Sequence, residues 1–194
     1  MIGETMAFLR RNLDDHLRLV MTSEASDPGA PFVILPDGDE MDPLRFKPGT
    51  VTLLVTHVDQ ERVLRAADPY LRRTDDGQAL RVQPDVRLVL NIALIARFKQ
   101  YDVAWTALSH LLEHMQSVRV FEAETTPGLP AGVQRLVMEF HAPASAESNG
   151  LWSALRSPPR PALHYRLQLL AFRDAGLAAA GDVTSIEPIV RQLG

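Results

Sequence analysis

The segment from residue 86 to residue 98 constrains the fold more than any other, because apolar side chains occupy every second position along it. These positions are Val86, Leu88, Leu90, Ile92, Leu94, Ala96 and Phe98. Successive side chains of a β-strand point to opposite faces, so the pattern predicts a long strand with one fully buried face. The intervening residues are mixed in polarity, which is typical of a central strand. The chain must therefore cover a sheet on at least one side.

Two segments with helical periodicity can supply that cover. Apolar residues in the segment 2–20 recur at steps of three or four, at Ile2, Met6, Leu9, Leu13, Leu17 and Val20. The segment 102–117 has a similar stripe, formed by Trp105, Leu108, Leu112 and Met115 and widened by Leu111. Such spacing predicts amphipathic helices, and we expect them to dock on the sheet.

Four further segments supply partner strands. Residues 51–64 form a long apolar run, residues 133–140 and 163–169 form alternating runs, and residues 32–35 form a short apolar run. A short helix is expected at residues 149–155. The connections are turns or long polar loops instead of regular crossover helices, and one of them, at residues 66–84, is a polar connection centred on a turn at Asp75-Asp76-Gly77. We therefore expect an α+β fold, with a mostly antiparallel β-sheet and helices on one face.

Composition removes several classes of protein. The chain has no cysteine, which excludes disulfides, thiolate zinc sites, iron–sulfur clusters and cysteine nucleophiles. Its 20 basic and 24 acidic residues give a net charge of −4, which argues against a broad nucleic-acid-binding face. The chain starts without the basic region of a signal peptide, and no apolar run approaches the ~18 residues of a membrane span. We expect a cytoplasmic protein that partners neither nucleic acid nor a membrane.

One motif points to metal chemistry. His110-Leu111-Leu112-Glu113-His114 matches the H-x-x-E-H pattern of inverted-zincin metallopeptidases. On a helix, His110 and His114 share a face as two zinc ligands should, and Glu113 is placed to act as a general base. The alternative interpretation is an incidental match on the exposed shoulder of an amphipathic helix. A third ligand is required, and the candidate carboxylates are Glu124, Glu139, Glu147 and Glu187.

Other catalytic signatures are missing from the sequence, which has no glycine-rich phosphate loop and no G-x-S-x-G nucleophile elbow. We therefore expect no catalytic residue, no cofactor and no metal, and a protein that is not an enzyme. Trp152 lies between Leu151 and Leu155, and we expect it to be a core or subunit anchor. A stacking platform for single-stranded nucleic acid is the alternative, but no basic residues interleave with aromatic ones nearby.

Several segments together resemble one family in their order and spacing. Pro84-Asp85-Val86, Leu90-Asn91-Ile92, Tyr101, Leu108-Ser109, Gln116-Ser117 and Val120-Phe121 form a first signature, and residues 151–155 with 161–166 form a second. The chain resembles, over about residues 1–173, the tube-terminating or cap proteins of phage-tail-like contractile injection systems of the antifeeding-prophage and virulence-cassette type. It departs from that pattern at residues 156–159, where a glycine-containing turn is expected, and at His114-Met115, where an aromatic pair is expected.

The resemblance implies a structural role and a tail-terminator-like fold. Such caps form a homohexameric ring on the last layer of the inner tube, contact the last sheath layer, and so end tube polymerisation and fix particle length. A closed ring of this kind requires head-to-tail interfaces. The implied protein assembles in the cytoplasm and then becomes part of the particle. We expect one domain at residues 1–173 and a tail or arm at residues 174–194. A baseplate or adaptor module of the same machine is an alternative, and a small zinc hydrolase using His110, Glu113 and His114 is another.

Overall fold

The computed structural model describes residues 1–21, 29–36, 44–61, 71–73, 79–81 and 86–171. The helices are α1 (Ile2–Val20), α2 (Tyr101–Ser117) and α3 (Ser145–Ala154). The strands are β1 (Val33–Ile34), β2 (Thr50–Gln60), β3 (Leu71–Arg73), β4 (Ala79–Arg81), β5 (Val86–Arg97), β6 (Val120–Glu122), β7 (Val133–His141) and β8 (Ala162–Ala171).

The main sheet has six strands in the order β1-β2-β5-β8-β7-β6. The short edge strand β1 pairs in parallel with β2, and every other pairing in this sheet is antiparallel. The strand predicted from the alternating pattern, β5, lies between β2 and β8, which explains why both of its faces carry apolar residues. The expected α+β fold with a mostly antiparallel sheet is confirmed.

One face of the sheet, here called the helix face, packs against α1 and α2. Its buried residues include Leu53, Leu90, Ile92, Leu94, Leu136, Met138, Tyr165, Leu167 and Leu169, which form one cluster with apolar residues of the two helices. The periodicity of α1 is confirmed, because Leu9, Leu13 and Leu17 are almost completely buried. Burying this much apolar surface is the main favourable contribution to folding.

The opposite face, here called the open face, has a much smaller core. It consists of Leu44, Phe46, Leu54, Ala93, Ile95 and Trp152. This cluster covers only the end of the sheet where β5 finishes and β8 begins. Farther along the same face, Asn91, Gln168 and Arg166 are half-buried or exposed. The short helix α3 therefore adds a partial second cover to a sheet whose two long helices lie on the other side.

Two details differ from the sequence-based expectations. The stripe predicted for α2 is wrong at Trp105, which is 40% exposed, because Ala104, Ala107, Leu108, Leu111 and Met115 form the buried side. The predicted polar connection at residues 66–84 contains the antiparallel pair β3–β4, and its predicted turn at residues 75–77 lies outside the described residues. The predicted tail at 174–194 also lies outside them.

Candidate assembly surfaces

The histidines of the H-x-x-E-H motif do not converge on a common point. Nδ1 of His110 lies 3.8 Å from Oε2 of Glu113. His114 turns toward α1, where its Nε2 donates to Oδ1 of Asn12 at 2.9 Å and its ring stacks on His16 with the centroids 4.2 Å apart. Burial lowers the pKa of His114, and the neighbouring His16 lowers it further. His114 is thus a neutral contact between two helices.

The candidate third ligands are scattered over other elements. Glu139 is on β7, Glu124 follows β6, and Glu147 is in the first turn of α3, where its Oε1 lies 3.8 Å from Nε2 of His141. Glu187 lies outside the described residues. Within the part of the chain that the structure describes, no three His, Cys, Asp or Glu side chains are grouped so that they can hold a metal ion. The geometry gives the zinc hydrolase alternative no support.

The predicted burial of Trp152 is confirmed, since its side chain is 6% exposed in the open-face core. Beyond it, α3 ends in a Schellman motif: Ser157 N–H donates to the Trp152 carbonyl and Arg156 N–H to the Ser153 carbonyl, both at 3.2 Å. Arg156 has a φ of 49°, in the left-handed region that glycine usually occupies at this position. This is where the sequence departs from the glycine-containing turn of the resembled family.

Two basic side chains contact the buried Phe46 at the same end of the sheet. Arg97, the last residue of β5, donates through Nη1 to the Phe46 carbonyl oxygen. The guanidinium of Arg160 lies over the Phe46 ring, 5.7 Å from its centroid, within the range of a cation–π contact. The chain reaches this position through Gly49, whose φ of 78° favours glycine and whose N–H donates to the Arg97 carbonyl at 2.7 Å.

Three more cations lie close to Phe46 or Arg97 along the chain. Arg45 and Lys47 flank Phe46 in sequence, Lys99 follows β5 by two residues, and all three side chains are exposed. We call Arg45, Lys47, Arg97, Lys99 and Arg160 the basic end. Burial lowers the pKa of Arg160, and the charge of Arg97 lowers it further. Sequence reasoning missed this cluster because its residues come from three distant segments, although both lysines of the chain belong to it.

An exposed aromatic pair lies at the beginning of α2, a few residues after β5 ends. Tyr101 is 70% exposed and Trp105 40% exposed. Their rings meet edge to face with the centroids 6.2 Å apart. Tyrosine, tryptophan and arginine are enriched among the residues that dominate binding energy at protein interfaces. The basic end and this aromatic pair therefore make the end of the sheet a candidate assembly surface.

The solved structures that share this fold include two tube terminators. One is the sheath/tube terminator of PVC, an extracellular contractile injection system, in the extended state: it is 17% identical, with a TM-score of 0.51 over 95% of this chain and 64% of that chain. The other is the tube-terminating cap of the anti-feeding prophage, 16% identical, with a TM-score of 0.53 over 94% of this chain and 60% of that chain. The chain thus spans less than two thirds of either protein.

The remaining findings concern membrane-spanning helices and similarity in sequence. Among the described residues, no helix is long and apolar enough to cross a membrane. No curated protein matches the chain at a significant level. A family model described as the Pvc16 N-terminal domain matches residues 4–185, which is most of the chain and reaches beyond residue 173. The protein therefore belongs to the Pvc16 N-terminal domain family.

Proposed function

We propose that this protein is a structural cap of a contractile injection system, which ends polymerisation of the inner tube and of the sheath and so fixes particle length. The observation that carries the proposal is the fold shared, over almost the whole chain, with two tube-terminating proteins. Membership of the Pvc16 N-terminal domain family supports it independently. In this role the protein performs no reaction, and its surfaces are its functional sites.

The proposed assembly is a homohexameric ring, made in the cytoplasm and then carried in the particle. Its partners are further copies of the chain, the inner tube protein and the sheath protein. A closed ring requires each copy to offer two different surfaces to its two neighbours. Residues 174–194 are proposed as an arm outside the domain at 1–173, and an extended arm is suited to pairing with an exposed strand of a neighbour.

Two alternatives make different predictions. A baseplate or adaptor module of the same machine would lie at the other end of the tube, so its position in the particle distinguishes it from a cap. A small zinc hydrolase would hold stoichiometric zinc, and an H110A/H114A variant would lose it. Metal analysis of the purified protein separates that alternative from the structural role.

The decisive experiment is electron microscopy of particles from cells that lack this gene, beside the parent and a strain with the gene restored. A cap predicts tubes or sheaths of uncontrolled length, or no complete particles, in the deletion. Restoration should return a uniform length and place density at the tube end away from the baseplate. Uniform particles of normal length in the deletion would overturn the proposal.

A further inference from the structure

The short helix α3 is the most weakly anchored of the described helices. Seven residues of α1 and five of α2 are buried, whereas Trp152 is the single buried residue among the ten of α3. Leu151 is half-buried, and Leu155, just after the helix, packs partly against the open-face core. The contact between Glu147 and His141 spans 3.8 Å, and such a pair near the surface contributes little. The docking of α3 on the sheet therefore depends largely on one side chain.

The sequence of α3 also gives it little helical stability of its own. Gly150 lies in its interior, where glycine is the least favourable residue except proline. Ser148, Asn149 and Ser153 are weak helix formers, and the N-cap residue Ala144 makes no side-chain hydrogen bond to the first turn. A helix of ten residues is marginal in isolation even with a favourable sequence. Without its tryptophan in place, α3 is not expected to persist.

The segments on either side of α3 leave it free to move relative to the sheet. Residues 142–143 and 158–159 form no backbone–backbone hydrogen bond with any other described residue. Three of these four residues are prolines, which have no N–H to donate. The chain is fixed again at Arg160, whose guanidinium lies over the Phe46 ring. The two connections therefore bound a unit that contains α3 and the turn that ends it.

We propose that α3 is a detachable cover of the open-face core, which opens as a unit while the sheet and the helix face stay folded. Opening pivots on the two proline-containing connections and withdraws Trp152 from the cluster that includes Leu54, Ala93 and Ile95. The open form then presents apolar side chains that the closed form hides. Local opening of this kind is usual where few apolar residues hold an element in place. The inference goes beyond the proposed function and does not depend on it.

Native-state hydrogen exchange of the full chain tests the inference. We expect the amides of α3 to exchange through a local opening and the central amides of β5 through global unfolding. Low concentrations of urea should then hardly change the exchange rates in α3, because a local opening exposes little surface, and should raise those in β5 steeply. An equally steep dependence on urea in both elements overturns the inference.

A variant on the helix face separates the two kinds of opening. Leu111→Ala removes a fully buried side chain from the core beneath α1 and α2, so it should speed the exchange of the β5 amides on the order of 100-fold. The rates in α3 should stay within about twofold of wild type. If Leu111→Ala does not fold, Asp14→Ala replaces it, with an expected acceleration in β5 of about 30-fold. Acceleration of α3 by the same factor as β5 would show that α3 opens only when the whole protein unfolds.

A variant in α3 itself tests the opening equilibrium directly. Gly150→Ala adds a methyl group into open space on the helix, and we expect it to slow the exchange of the α3 amides about fivefold. The matched control is Gly3→Ala, which makes the same change in open space on α1 and should leave the α3 rates unchanged. No slowing by Gly150→Ala, or equal slowing of α3 by Gly3→Ala, contradicts a separate opening of α3.

Discussion

The helix face and the open face of the sheet differ in how much of their surface is buried in an apolar core. On the helix face, apolar side chains from two long helices and all six strands of the main sheet form one continuous core. On the open face, six residues around Trp152 form a small core at one end, and polar side chains such as Arg166 and Gln168 line the rest. The first arrangement stabilises the fold. The second leaves polar and charged groups such as Arg166 exposed to solvent, where other molecules can reach them.

The largest expected effect tests whether the helix face carries the stability. Leu111→Ala removes a side chain that is 0% exposed between α2 and the sheet, and we expect a loss of about 3 kcal/mol in the free energy of unfolding. Arg166→Ala on the open face is the matched control and should stay within about 0.5 kcal/mol of wild type. Urea unfolding measures both. Comparable losses of unfolding free energy in the two variants would contradict the inference that the helix face carries most of the stability.

A polar contact at the edge of the helix face gives the next effect. Asp14 is 6% exposed, and its Oδ1 accepts from Val33 N–H at 2.9 Å while its Oδ2 accepts from Arg18 Nε at 2.8 Å. Asp14→Ala leaves a buried N–H of β1 without an acceptor, so we expect a loss of about 2 kcal/mol. The exposed Asp15→Ala is the control. If both variants unfold at the same urea concentration, Asp14 does not fix the edge strand to α1.

The elements of both faces were predictable from the sequence because their signals are local. α1 begins and ends where its stripe does, β5 follows its alternating apolar residues, and Trp152 is buried as expected. The buried side of α2 was not predicted correctly, because the stripe was drawn through the large Trp105 and did not include Ala104 and Ala107. Ala104 and Ala107 are buried in the folded protein, and which side of a helix is buried depends on tertiary contacts that the pattern does not contain.

The basic end was not predictable for a related reason. Arg97 and Arg160 meet the segment that contains Phe46 only after the sheet has formed. Phe46 itself lies in an irregular segment without periodicity. By contrast, the H-x-x-E-H motif is a strong local pattern, yet its His114 contacts Asn12 and His16 of α1. Local patterns therefore predicted the elements well and the candidate sites poorly.

A gain in stability is expected at the end of α3 on the open face. Arg156 adopts a φ of 49°, which costs a residue with a side chain roughly 1 kcal/mol. Arg156→Gly removes that cost and should raise the free energy of unfolding by up to about 1 kcal/mol. Arg156→Ala separates the backbone effect from the loss of the side chain, because alanine keeps the strain. Thermal unfolding that ranks glycine no higher than alanine would refute the explanation.

The smallest effect compares one histidine from each face. Burial lowers the pKa of both His114 and His164. The neighbouring His16 lowers the pKa of His114 further. At His164, His141 also lowers the pKa, whereas Glu147 raises it. A histidine whose pKa is lowered by folding binds fewer protons in the folded than in the unfolded state. The resulting stability is fully present above the unfolded pKa of about 6.5 and is lost as the pH falls below it.

The helix face should therefore be the more sensitive to acid. We expect His114→Gln to flatten the loss of stability between about pH 7.5 and about pH 5.5, and His164→Gln to flatten it less, because Glu147 partly favours the charged form. His57→Gln is the control, since His57 is largely exposed on β2. Urea unfolding across that pH range gives the comparison. A larger effect at His164 would place the acid-sensitive contact on the open face. The packing of His114 between α1 and α2 would then not explain the loss of stability in acid.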